Sequence, residues 1–244
     1  MNNIAILGAT GTIGSSLAKR LVARGDSVLL VGRDQSKLAA LGQEVQQPWV
    51  VSDAQDSQVL ESCLRSAEDN QRPLDSLVNC IGSVLLKPAH ATSDDEFREV
   101  ITTNLFTSFA VVRAGARLLR SRGGSIVLFA SAAAEIGIAN HEAIAAAKGG
   151  VVGLARSAAA TYATQNLRVN VISPGLVRTE LTRRIWDNPS AATASQKMHA
   201  LGRLGEPEQI ASLADWLLQP ENDWMTGQVI GLDGGLSSVL TRRV

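Results

Sequence analysis

Short apolar runs alternate along this chain with longer stretches whose apolar positions recur every three or four residues. Seven of the short runs read as strands: Ile4 to Leu7, Ser27 to Val31, Pro48 to Val51, Ser76 to Asn79, Ser125 to Phe129, Arg168 to Ile172 and Gln228 to Gly231. The stretches between them, typified by Leu17, Leu21, Val22 and by Val59, Cys63, Leu64, carry the period of amphipathic helices. This alternation predicts a single α/β domain over residues 1–244, with a seven-stranded parallel sheet and helices on both faces. Asp34, Ser93 and Glu206 with Pro207 mark helix starts, because short polar side chains accept orphan N–H groups and proline suits the first helical turn. The one stretch without a period is Ser173 to Leu201, interrupted by Pro174, Pro189 and small residues. It predicts a long irregular loop whose part at about 176–201 covers a substrate, since long loops in compact domains tend to be functional.

Charge removes some function classes. Lys plus Arg number 23 and Asp plus Glu number 23, so the formal charge of zero supplies no field for nucleic acid or an anionic membrane surface. Cys63 and Cys80 fit no metal-ligand spacing and read as small buried residues in a reducing compartment, so neither a metal nor a disulfide is expected. The chain runs from Met1 directly into its first strand, and no stretch reaches the roughly 18 apolar residues of a membrane span. The expectation is a cytoplasmic protein.

The first strand ends in Gly8 Ala9 Thr10 Gly11 Thr12 Ile13 Gly14, and a helical pattern begins at once. A pyrophosphate needs this arrangement: glycines let the backbone turn tightly and come close, and a helix N-terminus presents N–H groups to the anion. Placed between strand and helix, the glycines predict a dinucleotide site of the Rossmann type. Further on, the end of the second strand reads Gly32 Arg33 Asp34. No carboxylate stands at that strand end to hold the ribose of NAD, whereas Arg33 can form a fork to a 2′-phosphate, so NADP(H) is favoured over NAD(H). The plainer alternative is a solvated surface arginine.

With these residues in view, the chain resembles the short-chain dehydrogenases/reductases over nearly its whole length, and is most similar to the single-domain branch that includes the 3-oxoacyl-carrier-protein reductases. The resemblance implies roles residue by residue. Asp53 and Ala54 would contact adenine, and Asn79 to Gly82 would form the asparagine-rich turn beneath the cofactor. Asn104 would support a water chain, Ser131 would orient a carbonyl, and Lys148 would bond the nicotinamide ribose. Pro174, Gly175 and Thr179 would hold the nicotinamide carboxamide. The ending Thr226 to Gly235 implies the family's last strand, which together with the small-residue helix from Ala143 to Ala160 leads us to expect a homotetramer.

Two departures stand out. The middle glycine of the motif is Gly11, where this branch usually has it at the position of Thr12. More consequentially, the family's Tyr–x–x–x–Lys reads Ile144 Ala145 Ala146 Ala147 Lys148, with Ser131 thirteen residues before Ile144 as the family spacing requires. Four residues before Lys148 on one helix face, Ile144 is expected to point at the substrate, with no proton to give. Tyr162, the sole tyrosine, lies fourteen residues past Lys148, roughly 20 Å along a helix, and cannot substitute. His141, seven residues before Lys148, is an alternative donor, with a loop histidine bonded to backbone or water as the more ordinary role. Two functions therefore compete. One is NADP(H)-dependent hydride transfer to or from a carbonyl or alcohol, with an altered or impaired proton relay. The other is a non-catalytic NADP(H)-binding protein, a cofactor sensor or subunit partner. The joint presence of Ser131, Asn104, Lys148 and Thr179 favours the first.

Overall fold

The computed structural model describes residues 1–68 and 72–240. Its strands are β1 (Asn3–Leu7), β2 (Ser27–Gly32), β3 (Trp49–Val51), β4 (Ser76–Asn79), β5 (Gly124–Phe129), β6 (Leu167–Pro174) and β7 (Val229–Leu232). They pair in parallel in the order β3-β2-β1-β4-β5-β6-β7. The helices are α1 (Thr12–Arg24), α2 (Gln35–Val45), α3 (Ser57–Ala67), α4 (Asp94–Ile101), α5 (Thr107–Leu119), α6 (Glu142–Tyr162), α7 (Arg183–Trp186), α8 (Pro189–Met198) and α9 (Pro207–Leu218). Between α4 and α5 the chain widens into a π-turn at Thr102–Phe106. Seven strands were expected from the alternation and seven form among the described residues, with ends displaced by at most two residues.

Successive side chains of a strand point to opposite faces, and β1 shows the result. Ile4 and Ile6 join α1, α2 and α9 in one apolar layer, through Leu17, Leu21, Leu38, Ile210 and Leu217. Ala5 and Leu7 join α3, α5 and α6 in the other, through Leu60, Leu64, Val111, Leu119 and Val151. The helix starts follow from their caps. Asp34 accepts the Lys37 N–H at 3.1 Å, Ser93 and Glu96 form a reciprocal capping box, and Glu206 pairs likewise with Gln209 behind Pro207. Among the described residues no helix is long and apolar enough to cross a membrane.

The stretch expected to be irregular, 173–201, instead contains α7 and α8. Pro189 is the reason the period misled. It occupies the first turn of α8, behind Asn188, which accepts the N–H groups of Ser190 and Ala191; here proline starts a helix rather than interrupting one.

Sheet order reverses between β1 and β4, the place where parallel α/β sheets open a crevice beyond the carboxyl ends of the strands. The turns after β1 to β6 all open into that crevice, which brings sequence-distant residues together.

Candidate active site at the carboxyl edge of the sheet

The crevice consists of two pockets sharing one wall, Cys80, Ile81 and Gly82, at the end of β4. The first, of about 260 Å³, is lined by Gly8, Thr10, Gly11, Arg33, Asp53 and Ala54, among others. The second, of about 170 Å³, is lined by Ile13, Ser131, Lys148, Pro174, Gly175 and Thr179 with apolar neighbours that include Phe129 and Val177. Residues expected to hold the two ends of a dinucleotide thus divide between adjoining cavities.

Glycine is required where expected. Gly8 has φ of 73°, in the left-handed region, and a Cβ on Gly14 would lie 2.4 Å from the Gly8 carbonyl oxygen. Gly11 caps α1 without a side-chain hydrogen bond, and the first turn of α1 carries no acidic residue. The helix therefore offers uncapped N–H groups at the mouth of the first pocket, an arrangement that fits a pyrophosphate. Thr12 faces elsewhere: its Oγ1 accepts the N–H of Glu180 at 3.1 Å, joining the glycine turn to the loop after β6.

Arg33 is exposed at the rim of the first pocket, and Lys37 lines it too, with Nζ 3.8 Å from Asp34. Lys37 was not anticipated as a site residue. Its position three residues beyond the Asp34 cap, on the turn that faces back to the end of β2, was the available signal. Asp53 lines the same pocket and accepts the N–H of Gln55 at 2.9 Å.

Beneath the shared wall lies a buried polar chain. Asn79 donates to Ser108 Oγ at 3.1 Å and accepts the N–H of Ile81 at 3.2 Å, and Ser108 Oγ donates to the Asn104 carbonyl at 2.7 Å. In the π-turn, fully buried Asn104 accepts the N–H of Ser83 at 3.1 Å and donates to Ser83 Oγ and the Val100 carbonyl at 2.9 Å each. Ser83 was not singled out in the sequence; its hydroxyl lies one residue past the Asn79–Gly82 turn and lines the second pocket. A Cβ on Gly82 would come within 3.3 Å of Asn104 Oδ1 and 3.6 Å of Lys148 Nζ, so the missing side chain keeps both groups reachable.

Lys148 donates from Nζ to the Phe129 carbonyl at 2.9 Å and is 7% exposed. Burial pulls its pKa down to about 8. The other titratable group on that pocket's wall is the Cys80 thiol, pushed up to about 12 by burial. Both cysteines are free thiols and half-buried, where buried residues were expected. Ser131 follows β5 and accepts the Ala133 N–H at 3.2 Å.

Ile144 does not face the pocket as expected. Its side chain is buried in a small apolar cluster with Val100, Ala143 and Ala147, against Leu85 and Ile101, because a branched apolar chain has this dry alternative to the pocket. His141 stands at the head of α6, with Nδ1 2.8 Å from the Ala139 carbonyl, and is not among the pocket's lining residues. Tyr162 ends α6, packed against the core. Trp186 donates from Nε1 to the Thr179 carbonyl at 2.8 Å and so braces the loop that follows β6.

A family model described as enoyl-(acyl carrier protein) reductase matches residues 8–237. The 3-oxoacyl-[acyl-carrier-protein] reductase FabG of Vibrio harveyi is 31% identical over 237 residues, covering 96% of each chain. A short-chain type dehydrogenase/reductase from Mycobacterium ulcerans superposes with a TM-score of 0.92 at 29% identity, covering 97% of this chain and 90% of that one. An actinorhodin polyketide ketoreductase variant solved with NADPH superposes with a TM-score of 0.87 at 25% identity, covering 98% of each. The chain belongs to the short-chain dehydrogenase/reductase family.

Proposed function

We propose that this protein is an NADP(H)-dependent oxidoreductase acting on a carbonyl or alcohol, with a proton relay that does without the family's tyrosine. The observation that carries the reading is the meeting of Ser131, Lys148 and Thr179 in one pocket that shares a wall with the glycine-turn groove. A protein that only stored or sensed a dinucleotide would need the groove and not a serine and lysine beside it. Gly8, Gly11 and Gly14 would cradle the pyrophosphate, Arg33 and Lys37 would meet a 2′-phosphate, and Lys148 and Thr179 would hold the nicotinamide end. Bound there, the nicotinamide supplies or accepts a hydride. Ser131 would orient the substrate oxygen, and the apolar wall of Phe129, Val177 and Leu181 would exclude water from it. The NADPH-bound ketoreductase among the structural neighbours supports the cofactor assignment. Free thiols at Cys63 and Cys80 suit a reducing, cytoplasmic setting.

The direct test is NADPH oxidation against ketones, quinones and β-keto thioesters, with protein-bound cofactor confirmed by fluorescence. Turnover with at least one class is expected; saturated cofactor with no turnover across the panel favours a binding protein. In the same titrations NADPH should bind more tightly than NADH, and Arg33→Ala should weaken NADPH by about 1.5–3 kcal/mol, the range for a charge-assisted bond, leaving NADH nearly unchanged. Equal affinities for the two would remove the cofactor assignment.

A homotetramer belongs to the same proposal. On α6 the exposed Ala146, Gly149, Gly153, Ser157 and Ala160 form a stripe spaced three and four apart, and Phe106 and Phe109 are 41% and 45% exposed nearby in sequence to the buried face of α5. Small side chains let two helices approach closely, and a second copy presents the same stripe by symmetry. Light scattering at micromolar concentration should give about four times the 25.7 kDa chain mass; a monomer there would refute it.

A further inference from the structure

His199 is buried, 4% exposed, and has no part in the chemistry described above. We propose that it is a positioning residue that sets the nicotinamide-side turn, Pro174 to Thr179, by closing the substrate-covering loop at its neck. The proposal rests on the reading of that turn as the wall facing the nicotinamide.

The contacts define the arrangement. His199 Nε2 accepts the backbone N–H of Leu176 at 3.1 Å, and Nδ1 lies 2.7 Å from the Ser195 carbonyl in α8. An amide N–H can only donate and a carbonyl can only accept, so these partners select the neutral ring with its proton on Nδ1. The ring thereby ties Leu176, at the start of the loop, to Ser195 in the last turns of α8, with α7 between them. Leu176 is held on its other side as well, its carbonyl accepting the Gly205 N–H at 2.9 Å, while the Gly175 N–H reaches the Leu232 carbonyl at 3.3 Å. Four segments therefore meet at this point: the turn after β6, the end of α8, the turn at Gly205 ahead of α9 and the end of β7.

Gly175 records the closeness of the fit. A Cβ there would lie 2.5 Å from His199 Nε2, so glycine at this position leaves room for the ring and not for a turn of unusual dihedral angle. The charged residues around the ring are already engaged or held apart. Asp233 accepts the N–H groups of Gly235 and Ser237 at 2.9 Å each, and Arg203 donates to the Leu204 carbonyl at 3.2 Å across the same small cavity. Loss of the Nε2 acceptor would leave the Leu176 N–H unpaired in a half-buried turn, and the segment that ends in Thr179 would lose its fixed register against Lys148.

Two variants separate this role from a general structural one. His199→Gln keeps an acceptor at the reach of Nε2; His199→Asn reaches the Ser195 carbonyl but falls short of Leu176. Each is titrated with NADPH and with 2′,5′-ADP, which carries the adenosine half and no nicotinamide. We expect His199→Asn to weaken NADPH by ~10-fold, the worth of one buried hydrogen bond, with 2′,5′-ADP unchanged and His199→Gln near wild type. With a turned-over carbonyl, KM should rise more than kcat falls. Equal weakening of both ligands, or NADPH affinity indifferent to the asparagine, overturns the proposal. Should either variant fail to fold, Gly175→Ala probes the same contact from the turn side, with the same two ligands and the same expectation. A wild-type protein that binds neither ligand would overturn the dinucleotide reading itself, an outcome visible before any variant is made.

Discussion

Ile144→Tyr is expected to raise turnover of an activated ketone by about 10²-fold or more, the usual worth of a positioned general acid. The new side chain would stand one helical turn before Lys148, whose ammonium favours the ionised phenol and so lowers its pKa, and Ser131 lines the neighbouring wall. Ile144 now fills an apolar cluster with Val100 and Ala147, so the new ring must leave that cluster and turn toward the pocket, with repacking against α4 that costs about 1–3 kcal/mol of stability. Rates are therefore compared on folded protein with NADPH bound. A variant that binds cofactor normally and turns over nothing would show that the site is not a reductase site short of one residue. His141→Ala supplies the control: with its ring on the Ala139 carbonyl and outside the pocket, its loss should leave any wild-type turnover within about twofold. Abolished turnover would instead identify His141 as the proton source.

Lys148→Met should make the cofactor-free protein more stable while removing its activity. Burial lowers the Lys148 pKa from 10.5 to about 8, because the ammonium is desolvated. Below pH 8 the lysine is charged in both folded and unfolded states, and the folded protein carries the full desolvation cost. Between about pH 8 and 10.5 the unfolded chain keeps a proton that the folded chain has released, so stability rises with pH in that window. The rise attributable to this group is on the order of 3 kcal/mol, and methionine, similar in shape and uncharged, should remove it. Denaturant unfolding of both proteins from pH 7 to 10.5 measures the difference, since other titrating groups are common to the two. The methionine variant should be the more stable at pH 7, with the gap closing as pH rises. A gap independent of pH would sink the assignment of Lys148 as a buried ammonium kept for the cofactor. NADPH should bind the variant more weakly, since the donor proposed for the nicotinamide end is lost.

The sheet was legible because its signal is local. Ile4 to Leu7 or Ile126 to Phe129 are apolar on both faces, as a strand covered by helices on both sides must be, and the caps at Asp34 and Ser93 act within three residues. The glycine turn and the Ser131–Lys148 spacing were legible for a similar reason, since each sits at a fixed offset from a strand or within a helix. What sequence could not supply was the choice between alternatives that differ in three-dimensional surroundings. Ile144 has the helical phase of Lys148, but whether a branched side chain turns to the pocket or to Val100 depends on α4, forty-odd positions upstream. His199 sits among Met198, Ala200 and Leu201 with no motif around it, and its partner Leu176 is 23 residues away. Pro189 was misread because proline both ends and begins helices, and only the Asn188 side chain, turned onto the next two N–H groups, decides which.

The bond from the Glu180 N–H to Thr12 Oγ1 joins the turn that would hold a pyrophosphate to the loop that would cover a substrate. Whatever orders one of these segments changes the free energy of ordering the other, and such a coupling runs equally in both directions. A substrate that favours the docked loop must therefore tighten the dinucleotide by the same factor by which the dinucleotide tightens the substrate. Thr12→Val, close in shape but without the acceptor, should reduce the part of this coupling that runs through the loop.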